Sequence, residues 1–295
     1  MRAAAILIAI LLYSVQPLIA QQYAGLSIDN DLFFGKDYYY SSGIFLKYGH
    51  KKNENEKTKS IHWTLGQEIY TPIARYDRMT TNMDYPFSGY LYLQREVSNA
   101  ISEKSHFRWG VQLGLSGPPS LSKPIQNAYH KWILRLPELS WEGEQPSGLH
   151  IGLLGQYTKI IKIEAHTSFT NQTELHLATH RIESSLRSGL QIGTIEPMAF
   201  YDQVLASNSL GWGVHIGIQL KYNVHDYNLS GSLFENSSPF TLPSIPFRNT
   251  LEIGVGGRTK QWQFLAMAKA MSHDTPGQKY KRHQVLYLSI LRVFK

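Results

Sequence analysis

The chain has no cysteine. It therefore has no disulfide staple and no thiolate nucleophile, and its stability has to come from a packed core or from lipid contact. After residue 20 it has no continuous apolar run that could cross a bilayer as a helix. It also lacks HExxH, a phosphate-binding P-loop and a GxSxG elbow, so the commonest zinc-hydrolase, nucleotide and serine-hydrolase chemistries lose their usual carriers. Nor is there an internal repeat, a low-complexity tract or a linker-like shift in composition, so one domain is expected.

What is present begins with a leader. Arg2 is the only charge in the first twenty residues, an apolar run covers Ala3 to Tyr13, and Pro17 to Ala20 leads into Gln21 and Gln22. This order of a positive start, an apolar stretch and a small-residue end reads as a secretory signal peptide over 1–20, cleaved after about Ala20. The alternative is an uncleaved anchor, but the run is short for a span. Of 295 residues, 29 are Lys or Arg and 22 are Asp or Glu, so losing Arg2 with the leader leaves about +6. An exported, mildly basic chain with 18 Tyr, 12 Phe and 6 Trp suits anionic lipid or lipopolysaccharide phosphates, and no nucleic-acid partner is expected in that compartment. With no helical span, the mature chain is either soluble or crosses a membrane as a β-barrel.

Period-2 alternation decides between those. From Phe107 to Leu115, Phe107, Trp109, Val111, Leu113 and Leu115 share one face, while Arg108, Gly110, Gln112 and Gly114 share the other. Trp212 to Tyr222 repeats the pattern. A soluble sandwich also alternates. Strands of about ten residues, with one face rich in Gly and charge and aromatics at the ends, fit a transmembrane barrel with a polar lumen. The expected architecture is all-β, an antiparallel transmembrane barrel of about twelve strands filling 21–295. Those strands are read at 23–31, 41–50, 60–70, 87–97, 106–116, 148–160, 163–179, 182–194, 211–224, 247–257, 260–271 and 283–294. Lys51 to Lys59 reads as a charged hairpin tip, and 70–85, 117–138 and 229–247 as long loops. Within the second of these the period changes, and Ile125 to Leu134 suits a short helix that sets Gln126 and His130 on one side at i, i+4.

The candidate chemistry lies in Ser27 to Gly49, where Asp29, Asn30 and Asp31 end one strand and Ser41, Ser42 and Gly43 open the next. Carboxylate, amide and hydroxyl oxygens are hard ligands suited to Ca²⁺. A neutral histidine such as His130 can act as general base on water. Together they could hydrolyse an ester with no serine or cysteine nucleophile. The plainer reading makes the Asp/Asn cluster a turn device and His130 structural. Ser120 to Lys123 matches SxxK, but Pro124 follows at once and so short a pattern arises by chance.

Several stretches, in order along the chain, resemble the outer-membrane lipid A 3′-O-deacylase family. They are N-D-x-F at Asn30–Phe33, D-x-x-Y-S-S-G at Asp37–Gly43, G-Q-E-I-Y-T-P at Gly66–Pro72, D-Y-P-F-S-G-Y-L-Y at Asp84–Tyr92, G-P-P-S-L-S-K-P-I-Q-N-A-Y-H at Gly117–His130, and L-S-G-S-L-F at Leu229–Phe234. The resemblance implies a twelve-stranded barrel in the bacterial outer membrane, with its site near the outer end of the wall beside a short loop helix. It implies His130 as the base, Asn30 and Asp31 as holders of Ca²⁺, and Ser41 in place of the family's Thr. Gln126 and Tyr40 would support the loop or the substrate. Tyr85, Leu136 and Ser230 depart from the family pattern, replacing an Arg, an acid and an Asp.

The resulting expectation is a monomeric, Ca²⁺-dependent hydrolase acting on lipid A or lipopolysaccharide among the outer-membrane lipids. A phospholipase on the same barrel is one rival. A non-catalytic pore or structural barrel is the other, and it would leave His130 away from Asn30 and Asp31. Asp29 and Asp37 are read as turn or hairpin residues.

Overall fold

The computed structural model describes residues 21–52, 59–206 and 209–294, so the leader and the centre of the charged tip after Lys52 lie outside the described residues. Twelve antiparallel strands form one closed barrel. They are β1 (Gln22–Asn30), β2 (Tyr39–Lys51), β3 (Lys59–Thr71), β4 (Ser88–Ser102), β5 (Ser105–Ser116), β6 (Gly148–Glu164), β7 (Thr167–Ala178), β8 (Arg181–Gly193), β9 (Gly211–Asp226), β10 (Phe247–Arg258), β11 (Trp262–Ser272) and β12 (Arg282–Phe294). Each strand pairs with the next, and β12 closes on β1 with Phe294 opposite Gln22 and Leu286 opposite Asn30.

The pleat explains why these sequences choose this fold. Successive side chains point to opposite faces, so a period-2 sequence gives a sheet with two unlike surfaces. On β5, Phe107, Trp109, Val111, Leu113 and Leu115 are exposed outward, while Arg108 and Gln112 are buried inward. The apolar row is the face that a membrane barrel turns to lipid. The largest departures from the limits read in sequence are at two turns: β4 continues to Ser102 and β6 to Glu164, each through a one-residue register shift just before a two-residue turn, and β7 accordingly starts at Thr167 and not at 163.

The barrel's two ends differ. At the end with the described chain termini, two residues join β4 to β5 and two join β6 to β7, but the β8–β9 connection is long and its described stretch 194–206 folds into the lumen. Phe200, Tyr201, Val204 and Leu205 are buried there. Arg108 donates to the Asp202 carbonyl at 2.9 Å and Arg258 to the Val204 carbonyl at 2.5 Å. At the opposite end, Tyr39, Tyr70, Tyr85 and Leu229 pack into one cluster. Between them lies a luminal cavity of about 390 Å³, walled by ion pairs such as Arg187–Glu252 at 2.7 Å and Lys269–Asp29 at 3.2 Å.

The β5–β6 connection does not enter the lumen. It carries helix α1 (Ser122–Tyr129), which continues into a π-helical turn at His130–Leu134. Glu68 lines the lumen, so its neighbour Gln67 faces outward. Gln67 Nε2 donates to the Ser120 carbonyl at 2.6 Å. Gly89 meets the same segment, and a Cβ there would lie 2.1 Å from Ser122 Oγ. The helix therefore starts clamped to the outside of β3 and β4. Its return is fixed by Phe87 stacked on Trp141, with ring centroids 5.1 Å apart.

Candidate active site

The site begins where β1 stops. Asn30 Oδ1 accepts from the Leu32 amide at 2.7 Å, turning the chain out of the strand. Asp31 then organises the loop: its Oδ2 accepts from the Tyr38 amide at 2.9 Å, and its carbonyl accepts from Phe34 at 2.9 Å and Lys36 at 3.3 Å. Gly35, at φ 68, ends the short 3-10 turn of Leu32–Phe34 in a left-handed conformation that costs glycine nothing. The chain re-enters the wall at β2 with a register shift between Tyr40 and Ser42. Ser41 is the extra residue. Its hydroxyl donates to the Ile69 carbonyl at 3.4 Å and it lines the outer face.

His130 arrives from α1. At the start of the π turn its carbonyl accepts from Leu136 at 3.0 Å. Such turns widen a helix and re-aim side chains. Gln126 and His130 are both buried, on the one side their spacing predicted. His130 Nε2 lies 3.0 Å from Asp37 Oδ2. The same carboxylate oxygen is 3.3 Å from Arg75 Nε, and Arg75 Nη1 donates to the Asp37 carbonyl at 3.0 Å. His130 Nδ1 and Gln126 Oε1 are buried with no hydrogen-bond partner among the described residues.

These groups open on one cavity of about 390 Å³ between the wall and the helix. Asn30, Asp31, Ser41, Gln126 and His130 form its polar end, and Ile28, Ile44, Ile125, Tyr129 and Leu134 its apolar wall. The predicted base and the predicted oxygen cluster thus meet on the outer face of the barrel, not across the lumen. Phe33 and Phe34 on one side and Trp132 and Ile133 on the other stand exposed.

A family model described as outer membrane protein LpxR matches residues 5–292. The chain belongs to the LpxR family of outer membrane proteins. Its barrel superposes on that of LpxR from Salmonella typhimurium with a TM-score of 0.78, covering 92% of this chain and 100% of that one. The two are 16% identical, a level at which the likeness concerns the fold. The translocator domain of the autotransporter NalP from Neisseria meningitidis is similar at TM-score 0.45, 8% identity and 100% and 95% coverage of this chain and that one. The COG4313 outer membrane channel from Pseudomonas putida F1 stands at 0.45, 9%, and 96% and 98%. No curated protein sequence matches the chain significantly.

Within this LpxR-family barrel, two sequence readings change. Tyr40, expected at the loop or substrate, turns its side chain into the lumen, where its hydroxyl donates to Asp29 Oδ2 at 2.9 Å. The shift at Ser41 is the cause, because one extra residue reverses which face Tyr40 takes. Asp37, read as a hairpin residue, lies instead against His130. Arg75 was missed altogether, since it sits on a loop with no periodicity to mark it. Asp29 is a luminal ion-pair partner of Lys269. Of the departures from the family pattern, Tyr85 is fully buried against Tyr70 and Tyr39, Leu136 is exposed, and Ser230 precedes Gly231 at φ 73.

Among the described residues no group of three or more His, Asp or Glu is gathered to hold a metal ion. The cavity's oxygens are nonetheless a hard set: the Asp31 carboxylate, the Asn30 amide oxygen and the Ser41 hydroxyl. Burial pushes the Asp31 carboxyl up to about 8, and the nearby Asp37 charge adds to this against Arg75. An under-compensated buried carboxylate is what a bound cation would relieve. The donor set therefore fits a hard divalent cation, which Asp31 and Asn30 would hold.

Proposed function

We propose that this barrel is a lipid A deacylase that hydrolyses the ester-linked 3′ acyl chains of its substrate. The observation that carries the reading is the shared cavity. A buried histidine with one unpartnered ring nitrogen faces Asn30, Asp31 and Ser41 at the head of an apolar wall, outside the barrel where lipid lies.

In this reading His130 Nδ1 takes a proton from water as the water oxygen attacks the ester carbonyl. The tetrahedral intermediate collapses with cleavage of the acyl C–O bond. The imidazolium returns its proton to the departing sugar oxygen, leaving a free fatty acid and a hydroxyl. Asp31 and Asn30 would hold Ca²⁺, which when bound supplies positive charge to the developing oxyanion. Ser41, whose hydroxyl donates to the Ile69 carbonyl, leaves its oxygen as an acceptor on the same side. The apolar wall of Ile28, Ile44 and Leu134 takes the acyl chain.

The test is His130→Ala expressed in an outer membrane, with lipid A analysed by mass spectrometry. Loss of deacylation in a folded variant is the expected result, and unchanged deacylation would overturn the assignment. Glycerophospholipids incubated in parallel with the purified protein separate this reading from that of a phospholipase.

A further inference from the structure

In a neutral imidazole one nitrogen carries the proton and the other accepts, and an acceptor placed beside one of them selects the tautomer and the ring direction. In His130 the second nitrogen is Nε2, and the group 3.0 Å away is Asp37 Oδ2. Nδ1 is then left as the acceptor, and it is the nitrogen with no protein partner. The carboxylate does not come from the histidine's own loop. Leu136, six residues on, carries no acid, and Glu138 is on the surface with Lys131 at 3.4 Å, both side chains about 60% exposed.

We propose that Asp37, on the β1–β2 loop, is the positioning carboxylate of His130. The proposal rests on the hydrolytic reading above and assigns the missing orienting group to a different part of the chain. Asp37 is held from three directions. Arg75 donates to its carbonyl at 3.0 Å and lies at ion-pair distance, 3.3 Å, from its carboxylate, where Asp37 Oδ2 makes no hydrogen bond among the described residues. The Lys36 amide before it and the Tyr38 amide after it both bond to Asp31, at 3.3 and 2.9 Å. The residue that orients the base and the residue proposed to hold the cation are therefore parts of one hydrogen-bonded loop, and a shift in either moves both.

The experiment is Asp37→Asn, which keeps the shape and removes the charge, with kcat and KM measured on purified lipid A in detergent. Positioning predicts that kcat falls by about 10²-fold or more while KM stays within about twofold. Heat-modifiable gel mobility equal to wild type reports an intact barrel. Asp37→Glu keeps a carboxylate and should retain at least about tenfold more activity than the Asn variant. Wild-type kcat in Asp37→Asn, a change confined to KM, or equal activity in the Asn and Glu variants overturns the proposal. His130→Ala separates the two levels. If it is inactive while Asp37→Asn is normal, only the role of Asp37 fails; if it is active, the base itself is wrong.

Discussion

Arg75 is the residue on which the Asp37–His130 pair leans most, and replacing it with Met is the sharpest perturbation of that arrangement. Met keeps the stem's volume and deletes the guanidinium. Three contacts vanish: the 3.3 Å approach to Asp37 Oδ2, the 3.0 Å bond to the Asp37 carbonyl and the placement of the guanidinium over the Tyr76 ring at 5.3 Å. The contact that Arg75 makes through its own carbonyl, accepting from the Ser140 amide at 3.1 Å, survives because it is backbone. The two side chains are 22% and 12% exposed, so the pair is neither a surface bridge nor a fully buried one. Exposed pairs contribute about 0.2–1 kcal/mol and hydrogen bonds to charged groups about 1.5–3 kcal/mol, which brackets this loss near 2 kcal/mol. At about 1.4 kcal/mol per tenfold, the seated form of Asp37 becomes at most about thirtyfold rarer, and kcat should fall by about tenfold.

Steady-state kinetics on purified lipid A, beside a thermal melt, is the assay. No strand loses a partner, so the melting transition should fall by no more than about 8 °C, the shift that a loss of about 2 kcal/mol implies. A rise in KM at constant kcat would refute the reasoning, because Arg75 would then be reading the substrate's anionic groups and not bracing Asp37. A fall in melting temperature well beyond about 8 °C would refute it differently, making Arg75 a strut between the loops.

The outer face supplies another prediction: Leu113→Arg puts a charge in the middle of the apolar row on β5 and should cost about 2–4 kcal/mol in urea-dependent folding into vesicles, whereas no cost would mean that this face does not meet lipid. The lumen supplies a third. With residues 194–206 folded inside and Phe200 and Tyr201 buried there, the protein should show no porin-like conductance in planar bilayers, and a steady open current would restore the pore reading. Finally, a strong chelator of divalent ions should abolish hydrolysis and leave gel mobility of the folded barrel unchanged; full activity in its presence would remove the cation from the mechanism.

The barrel was legible because one local rule governs every strand. Pleating alone sends Arg108 and Gln112 inward and Trp109 and Leu113 outward, so alternation in the sequence is alternation in space. Asn30, Asp31 and Ser41 were legible for a related reason, since a polar cluster interrupts the alternation at a strand end. The helix was legible too, because Gln126 and His130 fall one turn apart. What the rule could not convey was any contact between separate loops. Asp37 meets His130, and Arg75 meets Asp37, through tertiary packing that no spacing along the chain encodes.

Tyr40 shows why the failures gather at the site. Strict alternation assigns it to the same face as Ser42 and Ile44, yet a single extra residue at Ser41 turns it into the lumen. An irregularity also marks each of the three elements that supply the polar end of the cavity. β1 ends in a side-chain turn at Asn30, β2 carries its shift at Ser41, and α1 widens into a π turn at His130. Regular hydrogen bonding points side chains at predictable intervals, so residues from three elements converge only where it is broken. The wall around these breaks is continuous sheet, which holds the irregular groups still. A site built at interruptions on a rigid barrel is therefore the part of the molecule where periodicity must mislead, and the misassigned residues Tyr40 and Asp37 mark its edge.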